Sequence, residues 1–187
     1  MPKRKRDNPT PVRPTLYEFD SRVEKKEGLH KLEQMMCPLI REISDNVSRY
    51  GIHQGATRGK GIGKFCTESI EEGELIGVYT GTVYNAGDTP PDINGRHMVL
   101  PNSLVVDGFG PSTINGADCN HSCQKHNCRY MFVHDDPACI NGVVVATSRR
   151  IHAGEELLVD YGDAYFMRSG LVPCLCENPC PMNRFFA

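Results

Sequence analysis

The sequence predicts a mostly β protein of one domain, preceded by a short helical segment. Among its 187 residues are 18 glycines and 13 prolines, which favour many turns and short strands over long helices. Hydrophobic residues make up 39% of the chain, enough to bury a core. No apolar run approaches the roughly 20 residues that a membrane span needs, so no membrane association is expected. A helical bundle or a coiled coil does not fit this composition.

The charge is unevenly distributed, although the net charge is only −2. Residues 1–14 carry a net charge of +4, which leaves −6 on the rest of the chain. Residues 1–15, basic and rich in proline, are predicted to form a disordered tail, and the basic run at residues 3–6 is either a nuclear-import signal or a solvated tail. The acidic remainder favours cationic partners and argues against direct nucleic-acid binding beyond this tail.

Residues 16–50 are predicted to form the helical segment. Between residues 29 and 50 apolar side chains recur at three- and four-residue spacing, the pattern of an amphipathic helix: Leu32, Met36, Leu39, Ile40, Ile43 and Val47. Because proline is best tolerated in the first turn of a helix, Pro38 predicts one helix ending near Met36 and a second beginning near Pro38. The apolar face either packs on the domain or forms a homodimer through residues 29–50.

After Tyr50 the pattern changes to short apolar pieces between turns that contain glycine, proline or asparagine. Strands are predicted at 75–79, 98–100, 104–106, 130–133, 143–146 and 157–161. Together they define a β domain over residues 51–168, followed by a cysteine-bearing tail at 169–187.

A glycine-rich segment, Arg58-Gly59-Lys60-Gly61-Ile62-Gly63-Lys64, precedes these strands. Closely spaced glycines let backbone amides approach a phosphate, but a P-loop needs glycine and Ser or Thr where Arg58 and Phe65 stand. The segment is therefore either a glycine turn beneath a flat or charged ligand, or a tight turn between strands.

The cysteines favour a metal site over disulfides. The chain has nine of them and no apolar signal segment, which is typical of reduced thiols. Cys174, Cys176 and Cys180 lie within seven residues, and Pro179 shapes their loop, a pattern that suits Zn²⁺. A fourth ligand would come from an upstream cluster: Cys119, His121, Cys123, His126 and Cys128. Without a metal ion, the cysteines among these residues would be free, partly buried thiols.

Taken in order, the motifs resemble those of the SET-domain protein-lysine methyltransferases. Val106-Asp107-Gly108 resembles that family's central Ile-Asp-Ala, and Asn120-His121-Ser122-Cys123 looks like its Asn-His-Ser-Cys. Residues 154–162, Gly-Glu-Glu-Leu-Leu-Val-Asp-Tyr-Gly, look like its closing motif, and the cysteine tail resembles a post-SET segment. The resemblance covers about residues 55–182.

The resemblance implies a β-clip SET fold with a pseudoknot, in which the segment holding Asn120 crosses the one that reaches Tyr161. Tyr161 would be catalytic. S-adenosylmethionine would be bound by Arg58, Gly59, Lys60, Gly61, Asn120, His121, Tyr165 and Leu175. A structural zinc would be held by Cys123, Cys174, Cys176 and Cys180, with His126 or Cys128 as alternatives to one of them.

The implied function is an S-adenosylmethionine-dependent protein-lysine N-methyltransferase, with a histone or another lysine-rich protein as substrate. It would work in the nucleus, or on chromatin in a host nucleus if the protein is viral. The main alternative is a catalytically inactive SET-fold module that binds chromatin or other basic protein tails. A third reading is a small zinc protein that binds DNA through residues 3–6.

Several departures from the family pattern accompany the resemblance, and two of them concern the knot and the cofactor. Ala117-Asp118-Cys119 stands where Arg-Phe-Ile usually precedes Asn-His-Ser-Cys, and Arg96 stands at the usual strand tyrosine near the cofactor. The first departure predicts local remodelling of the knot, and the second predicts altered cofactor contacts.

Overall fold

The computed structural model describes residues 26–89, 95–100, 104–108, 113–136, 139–169 and 174–176. The predicted basic tail at residues 1–15 and the predicted zinc ligand Cys180 lie outside the described residues. Within them are two helices, ten strands and a 3-10 turn, which confirms the mostly β class. The elements are α1 (Lys26–Arg49), β1 (His53–Thr57), β2 (Gly61–Phe65), β3 (Leu75–Val78), β4 (Gly81–Asn85), β5 (His97–Val99), β6 (Leu104–Gly108), the 3-10 turn (Gly116–Asp118), β7 (Asn120–His121), β8 (Cys128–Asp136), β9 (Cys139–Thr147), β10 (Glu156–Val159) and α2 (Asp163–Ser169).

Helix α1 runs without interruption through Pro38, so the prediction of two helices divided at this residue is wrong. Proline removes one hydrogen bond from a helix, but its fixed φ is helical. The part of α1 after Pro38 is held by packing on the domain. Ile43 and Val47 are buried, and the Asn46 side chain donates a hydrogen bond to the Leu75 carbonyl at 2.9 Å. The helix ends before Gly51, whose φ of 57° is left-handed.

The strands form three sheets, with orders β1-β2-β10-β7, β3-β9-β8 and β4-β6-β5. Six of these strands, β3, β5, β6, β8, β9 and β10, occupy the positions that the apolar pieces predict. The residue pattern did not identify the other four strands, β1, β2, β4 and β7, which are short and carry few apolar side chains. A shared core of α1 and the strands includes Ile43, Ile70, Val145, Ile151 and Leu157, each fully buried.

Strand β10 brings the two most specific motifs together. It pairs antiparallel with β2 and parallel with β7, where Leu158 is opposite Asn120 and Val159 is opposite His121. The Ser122 N–H donates to the Val159 carbonyl at 3.0 Å, which extends the contact beyond β7. The two segments that the resemblance expects to cross therefore lie side by side, and Tyr161 follows directly.

Among the described residues, neither helix is long and apolar enough to cross a membrane.

Candidate active site

Tyr161 is positioned by hydrogen bonds at both its backbone and its hydroxyl. The hydroxyl donates to the Cys119 carbonyl at 2.8 Å, and the backbone N–H donates to Nδ1 of His121 at 3.1 Å. Its ring contacts that of Tyr165, with centroids 4.7 Å apart. Burial raises the pKa of Tyr161, so the hydroxyl stays protonated at physiological pH. Tyr161 can therefore orient a reacting group through its hydroxyl, but it is not suited to act as a general base.

Tyr161 lines the larger of two neighbouring cavities, with a volume of about 520 Å³, which we call the tyrosine cavity. Its lining residues are Tyr79, Gly95, His97, Met98, Val99, Ala117, Tyr130, Phe132, Tyr161, Ala164 and Tyr165. None of these described lining residues is Lys, Arg, Asp or Glu. Val99 and Phe132 are 42% and 43% exposed, so apolar side chains reach the surface at this cavity. The tyrosine cavity suits an aliphatic chain that carries an uncharged head.

The second cavity, of about 330 Å³, is lined by charged and polar groups, and we call it the polar cavity. Its lining residues are Thr57, Arg58, Lys60, Ser122, Gln124, Lys125, Glu156, Leu158, Leu175 and Cys176. Three cations and one carboxylate in this set suit a ligand that itself carries charges of both signs. His121 joins the two cavities, because its carbonyl accepts from Nζ of Lys60 at 3.2 Å and its ring contacts Tyr161.

The glycine-rich segment forms the turn between β1 and β2, beside the polar cavity, and continues into β2. Gly59 and Gly61 have φ values of 81° and 78°, which side chains other than glycine rarely adopt. At Gly63 a Cβ would stand 2.7 Å from Nδ2 of Asn120 and 2.5 Å from Oε1 of Glu156. The glycines thus permit the tight turn and the close approach of β2 to its neighbours.

Asn120 and His121 hold this region together through polar contacts. The Asn120 amide donates to Oε1 of Glu156 at 2.8 Å and to the Ile62 carbonyl at 3.2 Å. Burial lowers the pKa of His121, which favours the neutral ring. Because Nδ1 accepts from the Tyr161 N–H, the proton of the neutral ring lies on Nε2, which has no hydrogen-bond partner among the described residues.

The structure brings most of the predicted cofactor residues together. Arg58, Lys60 and Leu175 line the polar cavity, and Gly59 and Gly61 form the turn at its edge. Asn120 and His121 lie on β7 next to it, as described above. Tyr165 lines the tyrosine cavity instead, against the ring of Tyr161.

Three of the four predicted zinc ligands converge. The Sγ atom of Cys176 lies 3.0 Å from that of Cys123 and 2.8 Å from that of Cys174. Sulfurs on zinc bonds of 2.3 Å lie about 3.8 Å apart in a tetrahedron, so a small separation of these thiols would admit the ion. The three cysteines therefore fit a structural zinc site.

A ring nitrogen of His121 lies within 4.8 Å of the sulfurs of Cys123 and Cys174, so these three residues form a group that could hold a metal ion. In the described structure Nδ1 of His121 accepts from the Tyr161 N–H. Cys128, an alternative ligand, is fully buried in the main core, where its Sγ contacts Oδ1 of Asn127.

Sequence reasoning missed a group of charged side chains near Cys119, whose carbonyl accepts from Tyr161. The side chains of Lys64 and Asp118 are buried there and that of Arg96 is partly exposed. Lys64 is only 1% exposed and its Nζ donates to the Thr113 carbonyl; burial lowers its pKa. Asp118 accepts from Arg96 at 3.1 Å and from Gln54 at 2.8 Å. Arg96 and Asp118 were noticeable only as departures from a family pattern, and no sequence signal marked Lys64 or Gln54.

The chain is similar in sequence to known proteins. Residues 61–162 match the SET domain family. The chain is 30% identical over 137 residues to Histone-lysine N-methyltransferase 2B of Homo sapiens, 31% over 143 residues to Histone-lysine N-methyltransferase ash1 of Drosophila melanogaster and 30% over 139 residues to N-lysine methyltransferase KMT5A-A of Xenopus laevis. These matches cover 67%, 69% and 66% of this chain, but only 5%, 6% and 40% of the relatives' lengths. Since the SET match spans more than half of the chain, the protein belongs to the SET-domain family.

Proposed function

We propose that the protein is a protein-lysine N-methyltransferase that uses S-adenosylmethionine and acts on a histone tail. The observation that carries the proposal is Tyr161, fixed at the wall of a cavity whose described lining has no Lys, Arg, Asp or Glu and joined through His121 to a charged cavity. Membership of the SET family and its methyltransferase relatives support this assignment.

The polar cavity is proposed to hold S-adenosylmethionine, which supplies an electrophilic methyl group on a sulfonium. Arg58 and Lys60 offer positive charge for its carboxylate, and Glu156 offers negative charge for its ammonium group. Gly59 and Gly61 keep the turn free of side chains. The remaining contacts in the proposal come from Asn120, His121 and Leu175, whereas Tyr165 lies in the wall of the tyrosine cavity.

The tyrosine cavity is proposed to admit the substrate lysine. A free lysine has a pKa of about 10.4 and attacks a methyl group only as the neutral amine. A cavity without carboxylates among its described lining residues disfavours the ammonium form. Lowering the pKa by about three units corresponds to about 4 kcal/mol. The amine releases its proton to water, its nitrogen bonds the methyl carbon, and the electron pair of the broken carbon–sulfur bond stays on sulfur.

Tyr161 is proposed to orient the amine for this attack. Because its hydroxyl hydrogen is engaged by the Cys119 carbonyl, the oxygen lone pairs remain available to accept from the amine. Holding two reactants in line supplies a large part of the rate in such transfers.

A structural zinc is proposed at Cys123, Cys174, Cys176 and Cys180. Cys176 and its neighbour Leu175 also line the polar cavity, so the metal would fix part of the cofactor wall. The residues 169–187 would thereby act as a post-SET tail.

On this proposal the protein works in a nucleus, where histones are found. Homodimerisation through residues 29–50 stays a prediction.

The test is transfer of radiolabelled methyl groups from S-adenosylmethionine to core histones, with the modified lysine identified by mass spectrometry. Tyr161→Phe is compared with wild type, and Tyr84→Phe, on β4 and outside both cavity linings, is the matched control. We expect label from wild type and Tyr84→Phe, and at least about 100-fold less from Tyr161→Phe, because an unoriented amine loses about that factor.

A catalytically inactive module that binds basic protein tails is the second candidate. It is favoured by the replacement of the usual strand tyrosine by Arg96. Its signature is binding of S-adenosylmethionine and histone peptides by calorimetry, with no label transferred by wild type.

A further inference from the structure

Arg96 and Asp118 form an ion pair that no part of the proposed mechanism uses. The NH1 atom of Arg96 lies 3.1 Å from Oδ1 of Asp118, and Oδ2 of Asp118 accepts from Nε2 of Gln54 at 2.8 Å. The Asp118 side chain is 8% exposed and that of Arg96 is 41% exposed. Both carboxylate oxygens are therefore engaged, as a mostly buried carboxylate requires.

Asp118 connects this pair to the Tyr161 hydroxyl. It ends the 3-10 turn Gly116–Asp118 and directly precedes Cys119, whose carbonyl accepts from that hydroxyl at 2.8 Å. Its other neighbour, Ala117, lines the tyrosine cavity. A movement of Asp118 would thus shift both the acceptor of Tyr161 and part of the cavity wall.

Arg96 connects the pair to the facing wall. Its carbonyl accepts from the Tyr79 hydroxyl at 2.6 Å and from the Gly108 N–H at 2.9 Å. The preceding residue, Gly95, has a φ of 65°, and a Cβ there would stand 2.3 Å from the Tyr165 hydroxyl. The backbone at Arg96 therefore sets the places of Tyr79 and Tyr165.

We propose that Arg96 and Asp118 are positioning residues, which hold the Tyr161 hydroxyl at a fixed place relative to the Tyr79 and Tyr165 wall and so set the rate of methyl transfer. This inference rests on the proposed function. Neither residue lines the polar cavity, so the pair acts on kcat and leaves cofactor affinity unchanged.

The test compares Arg96→Gln, Asp118→Asn and the double variant by kcat, by KM for a histone peptide and by Kd for S-adenosylmethionine. Each single variant is expected to lose about tenfold in kcat, since small misplacements of reacting groups cost this much or more. The double variant is expected to match the singles, because residues that act as one pair are not additive. Cofactor Kd stays at the wild-type value.

Arg149→Gln is the matched control. Arg149 makes an ion pair with Glu155 at the same 3.1 Å and with a similar exposure of 47%, but lies outside both cavity linings. Its kcat should equal that of wild type. Arg96→Lys keeps the positive charge that faces Asp118, and should recover kcat to within about threefold of wild type.

The inference is overturned if the single variants keep wild-type kcat, if the double variant loses the product of the two single effects, or if Arg96→Lys is as slow as Arg96→Gln. A loss in cofactor Kd instead of kcat also overturns it. Wild type that binds cofactor and transfers no methyl group overturns the proposed function, and the inference with it. Active wild type with unaffected variants overturns the inference alone.

Discussion

The two cavities beside His121 are built in different ways. In the tyrosine cavity two hydroxyls donate to backbone carbonyls, that of Tyr79 to Arg96 and that of Tyr161 to Cys119. The polar cavity is lined by long charged side chains and is completed by Leu175 and Cys176, which come from the end of the chain. The tyrosine cavity thus selects its ligand by shape and low polarity, whereas the polar cavity selects its ligand by charge. The polar cavity also depends on the segment that holds Leu175 and Cys176, which needs anchoring.

Filling the tyrosine cavity should have the largest effect. Ala117→Phe adds a ring at its lining, where an aliphatic side chain is proposed to enter. We expect methyl transfer to fall at least about 100-fold, because the amine no longer reaches Tyr161 in line. S-adenosylmethionine should still bind, as measured by calorimetry. Equal losses of transfer and cofactor binding would show that the two cavities are not separate in function.

Removing the zinc ligands should act on the other cavity. In Cys123→Ser the metal content should fall, the thermal midpoint should drop and the Kd for S-adenosylmethionine should rise at least about tenfold, since metal binding is coupled to folding of this wall. Wild-type protein treated with a chelator should show the same losses of metal, thermal midpoint and cofactor affinity. Cys66→Ser, a buried thiol of the main core, is the control and should keep its zinc. Unchanged metal content in Cys123→Ser would contradict the site.

The sequence predicted the parts of the site that are marked by specific motifs, and it did not predict the parts that depend on how distant segments pack. Asn120-His121-Ser122-Cys123 and the motif ending at Tyr161 were readable because their residue types and order are specific, and β7 and β10 place them together. The placement of Tyr165 in the tyrosine cavity was not readable, since it depends on the turn from Tyr161 into α2. Pro38 misled because local preference was outweighed by packing of α1 on β3.

The burial of Lys64 had no sequence signal at all. Strand β2 does not alternate between buried and exposed positions, because Gly63 and Lys64 are both buried. The Lys64 amine donates to the carbonyl of Thr113, which lies 49 residues further along the chain. A long-range polar contact of this kind leaves no mark in local composition.

Lys60 tests the charge of the polar cavity with a smaller expected effect. Lys60→Met removes a cation that lines this cavity and donates to the His121 carbonyl. The Kd for S-adenosylmethionine should rise about tenfold, equal to about 1.4 kcal/mol. At saturating cofactor kcat should stay near the wild-type value, because the tyrosine cavity is untouched. Lys60→Arg keeps the charge and should bind normally, and a weak Lys60→Arg would show that shape matters more than charge here.

The smallest expected effect concerns Lys64, which reaches from the strand beside the polar cavity toward Asp118 and Cys119. Burial lowers the pKa of Lys64 below its ordinary value of 10.5, against the opposing charges of Cys119 and Asp118. The unfolded chain therefore binds this proton more tightly than the folded one, and protonation destabilises the fold. That penalty is fully present below the folded pKa and disappears as the pH rises toward 10.5.

Relative to Lys64→Met, wild type should thus gain unfolding free energy as the pH is raised from about 8 to about 10, the range just below the lysine reference value, in denaturant melts. Burial raises the pKa of Cys119 to about 11, which lowers stability above pH 9. Because Cys119 is present in both proteins, the difference between them isolates Lys64 to first order. Cys119→Ala in both backgrounds removes the remaining coupling. A difference that is flat or falls with pH would mean that Lys64 is held as a stable charged group, and that the boundary between the two cavities is more polar than its burial indicates.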